Sequence, residues 1–136
     1  MLLSLLAIAL QAAASPSSID CSAADLSACA TSIYFDSGVG TTIRPEWIAS
    51  LDGVAARLRG GGSVRIESFS DRSGPESANQ RVAVQRARSV QAELIQRGVP
   101  TERMTVVAHG EANLLVSTPD GVREPQNRRV DLTIVP

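Results

Sequence analysis

The sequence predicts an α+β domain: a two-layer sandwich in the order β-α-β-α-β-β, with a mixed four-stranded sheet and both helices on one face. Three observations predict it. Two stretches carry apolar residues at helical spacing, Ile48 to Leu58 and Ala83 to Leu94. Short runs of alternating or β-rich residues lie before, between and after them, around residues 33, 64, 106 and 132. Glycine or proline punctuates most of the junctions. A chain of 136 residues has room for one domain with a modest core. Two helical stripes need a common apolar surface, and one face of a sheet supplies it.

Residues 1–14 read as a secretory signal. Leu2 to Leu10 is an apolar run of h-region length, and Ala12-Ala13-Ala14 offers a small-residue cleavage site, although no Lys or Arg precedes the run. The run is too short to span a bilayer. Residues 15–30 form a Ser/Ala-rich linker that holds Cys21 and Cys29. Export places this pair in an oxidising compartment, where a disulfide closing a short loop is expected. Leu26-Ser-Ala-Cys29 also fits a lipobox, but Asp20 and Asp25 would then lie inside the signal. No metal site is expected, because the one histidine, His109, is distant in sequence.

Residues 31–136 are the folded domain. Ile33-Tyr34-Phe35 is a short strand, left through the turn Asp36-Ser-Gly-Val-Gly40. Pro45 and Glu46 suit the first turn of a helix whose stripe is Ile48, Leu51, Ala55 and Leu58, with Trp47 anchoring it to the sheet. Gly60-Gly61-Gly62 stops this helix. The glycines follow a helix rather than a strand, so they form no phosphate loop. Val64 and Ile66 alternate with Arg65 and Glu67 in a second strand, which runs towards Asp71 and a polar turn, Arg72-Ser-Gly-Pro75.

The long second helix carries the stripe Ala83, Ala87, Val90, Leu94. At about 100° per residue, Arg86 falls roughly 60° to one side of it, half buried, with Glu93 and Arg97 on the same margin. Arg81, Gln85 and Arg88 point to water. Gly98 stands where a helix end favours a left-handed residue, and Pro100 follows. Met104, Val106 and Ala108 alternate in a third strand, and residues 110–126 form a loop. Val130, Leu132 and Ile134 alternate with Arg129, Asp131 and Thr133 in a last strand with one wet face. Arg128-Arg129 reads as the start of that strand with one solvated charge.

Charge excludes some functions. A net charge of −1 and an aromatic content of 3% favour neither nucleic acid nor an acidic membrane surface as partner. His109, Glu111 and Asp71 do not make a convincing hydrolase: no Gly-x-Ser-x-Gly elbow is present. From the residues alone, Asp71 fits a turn residue that accepts backbone N–H bonds, and Arg86 fits a charge at the edge of an apolar stripe that pairs with it.

Six pieces in order resemble one family. Tyr34-Phe-Asp-Ser37 resembles an opening Tyr-Phe-Asp. Ile66-Glu-Ser-Phe-Ser-Asp-Arg-Ser-Gly74 resembles a Gly-His-Thr-Asp-x-x-Gly strand and turn. Asn79, Arg86-Ala87 and Val90 resemble an Asn-x-x-Leu-Ser-x-x-Arg-Ala-x-x-Val helix. Arg97-Gly-Val99, Gly110-Glu111 and Asn127-Arg-Arg-Val130 complete the set. Over about a hundred residues the chain is similar to the OmpA-like peptidoglycan-binding domain, found also in Pal lipoproteins and flagellar stator proteins. The resemblance implies a non-catalytic module, without cofactor, that holds the stem peptide of peptidoglycan. Asp71 and Arg86 match the residues that grip diaminopimelate, whose side chain ends in an ammonium and a carboxylate. Asp36 and Asn79 match further pocket positions.

The sequence departs from the family at Ser68-Phe69-Ser70, in place of Gly-His-Thr, which alters the pocket floor at Phe69. It also departs at Val82-Ala83, in place of Leu-Ser. The implied setting is the periplasm or cell envelope of a Gram-negative bacterium, associated with the outer membrane. An alternative is an OmpA-like interaction module that has lost wall binding and docks an envelope protein through Phe69 and Leu114-Leu115.

Overall fold

The computed structural model describes residues 30–36 and 40–135. The signal segment, Cys21 and Cys29 lie outside the described residues. The elements are β1 (Ala30–Tyr34), α1 (Ile48–Leu58), β2 (Ser63–Phe69), α2 (Glu76–Gln96), β3 (Met104–Gly110) and β4 (Arg129–Val135), with single 3-10 turns at Pro45–Trp47, Thr101–Arg103 and Pro125–Asn127. This is the expected β-α-β-α-β-β order. The first strand starts earlier than its apolar core, because Ala30 and Thr31 continue the ladder with β4.

The sheet order is β1-β4-β2-β3. β4 is antiparallel to β1 and to β2, and β3 is parallel to β2. The mixed sheet therefore sends β1, β2 and β3 the same way. Their three C-terminal ends meet the start of β4 at one end of the sheet.

Both helices cover one face. Leu51, Val54, Ala55 and Leu58 of α1 share a core with Ala87, Val90 and Leu94 of α2 and with Ile33, Val64, Ile66, Val130, Leu132 and Ile134 of the strands. Each fully buried Leu, Ile or Val side chain contributes about 1.5–3 kcal/mol. The helix stripe is as the spacing predicts: Ala83, Ala87, Val90 and Leu94 are all buried, while Arg81, Gln85 and Arg88 are exposed. Trp47 packs against the core and lies 5.7 Å from the Tyr34 ring.

Helix ends follow local chemistry. At the end of α2, Val99 N–H donates to Leu94 O and Gly98 N–H to Ile95 O, with Gly98 at φ +87°. This is a Schellman closure, and glycine takes the left-handed position without steric cost. At the end of α1, the Gly60 and Gly61 amides donate to Arg57 O and Leu58 O, and the Arg103 guanidinium adds bonds to Leu58 O and Gly62 O. Arg97 ties the helices together through Asp52 at 2.7 Å and Glu93 at 2.6 Å.

Two charges sit deeper than their sequence positions suggest. Arg86 is only 1% exposed, not half buried. Its guanidinium donates to the carbonyls of Asp36 and Gly40, contacts that the helical wheel does not show. Arg129 alternates onto the helix-free face of β4, yet it is 7% exposed, because its guanidinium carbon stands over the Phe69 ring, 3.9 Å from the centroid.

Candidate functional site

The topology assembles the site. Asp36 follows β1, Asp71 follows β2, Glu111 follows β3, and Arg128 precedes β4, so one sheet end collects them all. The N-terminal half of α2 brings Asn79 and Arg86 to the same end.

Asp71 is the hub. Its Oδ1 accepts Ser73 N–H at 3.1 Å and Ser73 Oγ–H at 2.6 Å. Its Oδ2 accepts Arg128 Nη1 at 3.0 Å and Glu124 N–H at 3.2 Å. Four donors meet four acceptor sites on a carboxylate 3% exposed. Burial alone would raise the Asp71 carboxyl. The bonds from the Ser73 hydroxyl, Arg128, and the Ser73 and Glu124 amides outweigh it and hold the group below its ordinary value of 3.8.

Arg86 lies near enough to this hub to feel its charges. Its Nε donates to Gly40 O at 3.1 Å and its Nη2 to Asp36 O at 3.0 Å, and its guanidinium carbon is 5.3 Å from the Phe35 ring centroid. Burial, and then repulsion from Arg128, depress the guanidinium to about 10, while Asp71 pulls the other way. Asp71, Arg86 and Arg128 thus feel one another. The hydrogen-bonded partner of Asp71 is Arg128, however, and the bonds shown for Arg86 go to backbone carbonyls.

Asn79 is placed by Glu111 and Gly74. Its Nδ2 donates to Glu111 Oε2 at 2.9 Å and to Gly74 O at 2.8 Å. Arg72 fastens the long loop by donating to Thr118 O at 3.1 Å and pairing with Asp120 and, at 4.0 Å, Glu111. Asn127 holds the same loop through both polar groups of the Val116 backbone, each at 2.8 Å. Asp36 is the exposed member, its side chain 73% accessible and 3.5 Å from Arg44.

Phe69 lies elsewhere. Alternation along β2 sends Val64, Ile66 and Ser68 to the helices and Arg65, Glu67 and Phe69 to the helix-free face. The Phe69 ring stacks on His109 at 4.8 Å and 12°, with the Arg129 guanidinium carbon 3.9 Å from its centroid. β2 ends at Phe69 after a register shift at Ser68/Phe69, so the two-residue alternation does not carry through to Asp71. On the helix-covered face, the last side chain of β2 is that of Ser68, which is fully buried. His109 pairs with Glu67 at 3.0 Å, Glu111 with Asn79, and Asp71 with Arg128, so His109, Glu111 and Asp71 make no triad.

Sequence reading missed Arg128 and Glu111. A signal for Arg128 was present: it shares parity with Val130, Leu132 and Ile134, the core-facing residues of β4. Charge at such a position requires a buried partner.

A model of the OmpA family matches residues 34–128. The chain belongs to the OmpA family. Among curated relatives, the probable lipoprotein YiaD of Escherichia coli is 34% identical over 106 residues, 76% of this chain and 48% of that protein. The peptidoglycan-associated lipoprotein of Pseudomonas aeruginosa is 31% identical over 103 residues, 75% of this chain and 61% of the relative. The chain thus spans about half the length of these OmpA-family relatives. The crystal structure of the peptidoglycan-associated lipoprotein from Burkholderia pseudomallei superimposes with a TM-score of 0.70 at 26% identity, covering 76% of this chain and 89% of that one. The C-terminal domain of Helicobacter pylori MotB, at 19% identity and a TM-score of 0.66, shares the fold; 78% of this chain and 84% of that one are covered.

Proposed function

We propose that this OmpA-family domain binds peptidoglycan without catalysis, gripping the diaminopimelate of the stem peptide and tethering its protein to the cell wall. The observation that carries the reading is the cluster at the sheet end, where two buried guanidiniums flank one buried carboxylate. Asp71, Arg86 and Arg128 sum to one positive charge, which complements a ligand carboxylate. Asp36, exposed at the rim and one residue from Phe35, is suited to an ammonium, so the two ends of a zwitterion have opposite partners. Burying Arg86 costs stability, as its depressed value shows. Retaining such a group fits a role in binding.

The relatives support this reading, since two of those matched are named as peptidoglycan-associated lipoproteins. They also support a place in the Gram-negative envelope, in the periplasm or at the outer membrane. Among the described residues, no helix is long and apolar enough to cross a membrane. A second reading is an envelope protein docking on the long loop, where Leu115 is 53% and Val122 39% exposed. The saturation of Asp71 by protein donors favours it.

The test is sedimentation with purified diaminopimelate-type peptidoglycan. Wild type should co-sediment. Asp71→Asn, confirmed as folded by circular dichroism, and Asp36→Asn should each sediment less. Arg88→Ala, on the outer face of α2, should match wild type. If wild type stays in the supernatant, the docking reading replaces this one.

A further inference from the structure

β3 is an edge of the sheet, paired with β2 on one side only. Its sequence, Met104-Thr-Val-Val-Ala-His-Gly110, holds none of the lysine, proline or acidic residues that usually blunt such an edge. Along a strand, the backbone groups of alternate residues point the same way. Gln80 Nε2 donates to Ala108 O at 2.9 Å, so the polar groups of Ala108 point away from β2. Those of Val106 point the same way. Nothing among the described residues bonds them, and Val106 is 40% exposed.

Helix α2 flanks this edge. Gln80 marks the side of α2 that faces β3, and Val84, Gln91 and Ile95 fall within about 60° of it. Ile95 is 45% exposed. Farther round stand Arg81 and Arg88, about 10 Å apart along the axis. Both are exposed, and neither has an ion-pair partner among the described residues. Glu93 is the one acid between Ser77 and Gln96, and it lies on the α1 side, tied to Arg97 at 2.6 Å. A groove of about 280 Å³ opens among Gln80, Arg81, Val84, Gln85 and Arg88.

We propose that the edge of β3 and this side of α2 dock an extended acidic segment of a partner protein, which joins the sheet as a further strand. This docking is separate from wall binding, whose site lies at the C-terminal ends of β1, β2 and β3. Val106 N–H and C=O bond the incoming backbone. Apolar side chains of the segment meet Val84, Val106 and Ile95, and its carboxylates meet the two arginines. Main-chain bonds supply the contact, and the charges supply the choice of partner. A second copy is the poorer occupant: pairing two β3 edges about a two-fold axis sets the like charges of Arg81 and Arg88 from both copies side by side.

The experiment is an NMR titration of the isotope-labelled protein with two end-blocked synthetic peptides, Thr-Glu-Thr-Val-Thr-Glu-Thr and its twin with lysine for glutamate. Alternation puts both charges and the valine on one face. Wild type should bind the acidic peptide about tenfold more tightly than the basic one. With that peptide at about ten times its Kd, amide exchange at Val106 should slow about tenfold. Thr105 and Val107, whose amides face β2, should not change. Val106→Pro removes only an outward donor, which an edge strand tolerates. It should keep the fold and wall sedimentation and lose the acidic peptide. Arg81→Glu with Arg88→Glu should reverse the preference, and this double variant decides alone should Val106→Pro unfold. Wild type that binds neither peptide, or both equally, overturns the proposal. So does a folded Val106→Pro that retains the acidic peptide, or a double variant that keeps the acidic preference. A wild-type dimer in sedimentation equilibrium that Val106→Pro abolishes gives the edge to a second copy and overturns it too. Wall sedimentation is unmoved in each of these cases, so the wall-binding reading stands or falls by its own test.

Discussion

Arg128 and Asp71 form a buried ion pair across the sheet end, Nη1 to Oδ2 at 3.0 Å, with side chains 11% and 5% exposed. The pair joins the end of β2 to the start of β4, and Glu124 N–H and Ser73 complete its bonds. Removing one partner leaves a buried charge uncompensated. Asp71→Asn should therefore destabilise the domain by about 3–5 kcal/mol. Asp71→Asn combined with Arg128→Gln should cost less than the two single changes added together, because the second change removes the charge that the first one strands. Urea unfolding of the four proteins gives the coupling directly. A loss below about 1 kcal/mol for Asp71→Asn would show the pair to be dispensable.

The same carboxylate sets an acid limit. Its folded value lies below 3.8, so the folded state holds its proton less tightly than the unfolded chain does. Stability from this group is fully present above 3.8 and is lost as pH falls through the lowered folded value. Melting temperatures should show no contribution from Asp71 to any change between pH 7 and about 5, and a steeper fall below that in wild type than in Asp71→Asn. Parallel acid limbs in the two proteins would contradict the assignment.

What the sequence made legible followed from periodicity. The stripe Ala83–Leu94 and the alternation of Val130, Leu132 and Ile134 are local patterns, and each element they predict is present. Asp71 accepting backbone N–H bonds was legible too, from turn chemistry. The partner of Asp71 was not. Arg128 lies 57 positions away and meets Asp71 only because β4 inserts between β1 and β2. A helical wheel could not bury Arg86 either, since the carbonyls it meets, Asp36 O and Gly40 O, lie 50 and 46 positions away. Phe69 was misplaced because alternation was extended past the strand end, where the chain bends.

Gly110 joins β3 to Glu111 at the site. Its φ is +62°, and a Cβ there would stand 2.5 Å from Gln80 Oε1. Ser70 N–H donates to its carbonyl at 2.7 Å, which holds the end of β2 beside it. Gly110→Ala must adopt a left-handed conformation, costing about 1–2 kcal/mol, and must push Gln80 off Ala108 O. The Gln80 side chain can swing away, so the fold should survive with a loss of roughly 1–3 kcal/mol. Chemical denaturation measures it, and an unchanged midpoint would mean that the turn relaxes without strain.

Phe69 is held between a guanidinium and an imidazole on the helix-free face. Arg129 is kept on the ring by Asp131, whose Oδ2 accepts Nε at 3.1 Å, and His109 is kept there by Glu67. Phe69→Leu keeps an apolar side chain but loses both ring contacts. Cation–π contact contributes about 0.5–2 kcal/mol and ring stacking about 0.5–1.5 kcal/mol, so the variant should lose about 1–3 kcal/mol. Wall binding should be unaffected, because the ring contacts shown, His109 and Arg129, lie on the helix-free face. Phe69→His, which restores the family's imidazole, should likewise fold and bind the wall within about twofold of wild type, well under one charged hydrogen bond. Thermal melts and peptidoglycan sedimentation of both variants separate the two effects. If a folded Phe69→His changes wall binding by tenfold, the helix-free face communicates with the site, and Phe69 belongs to it after all.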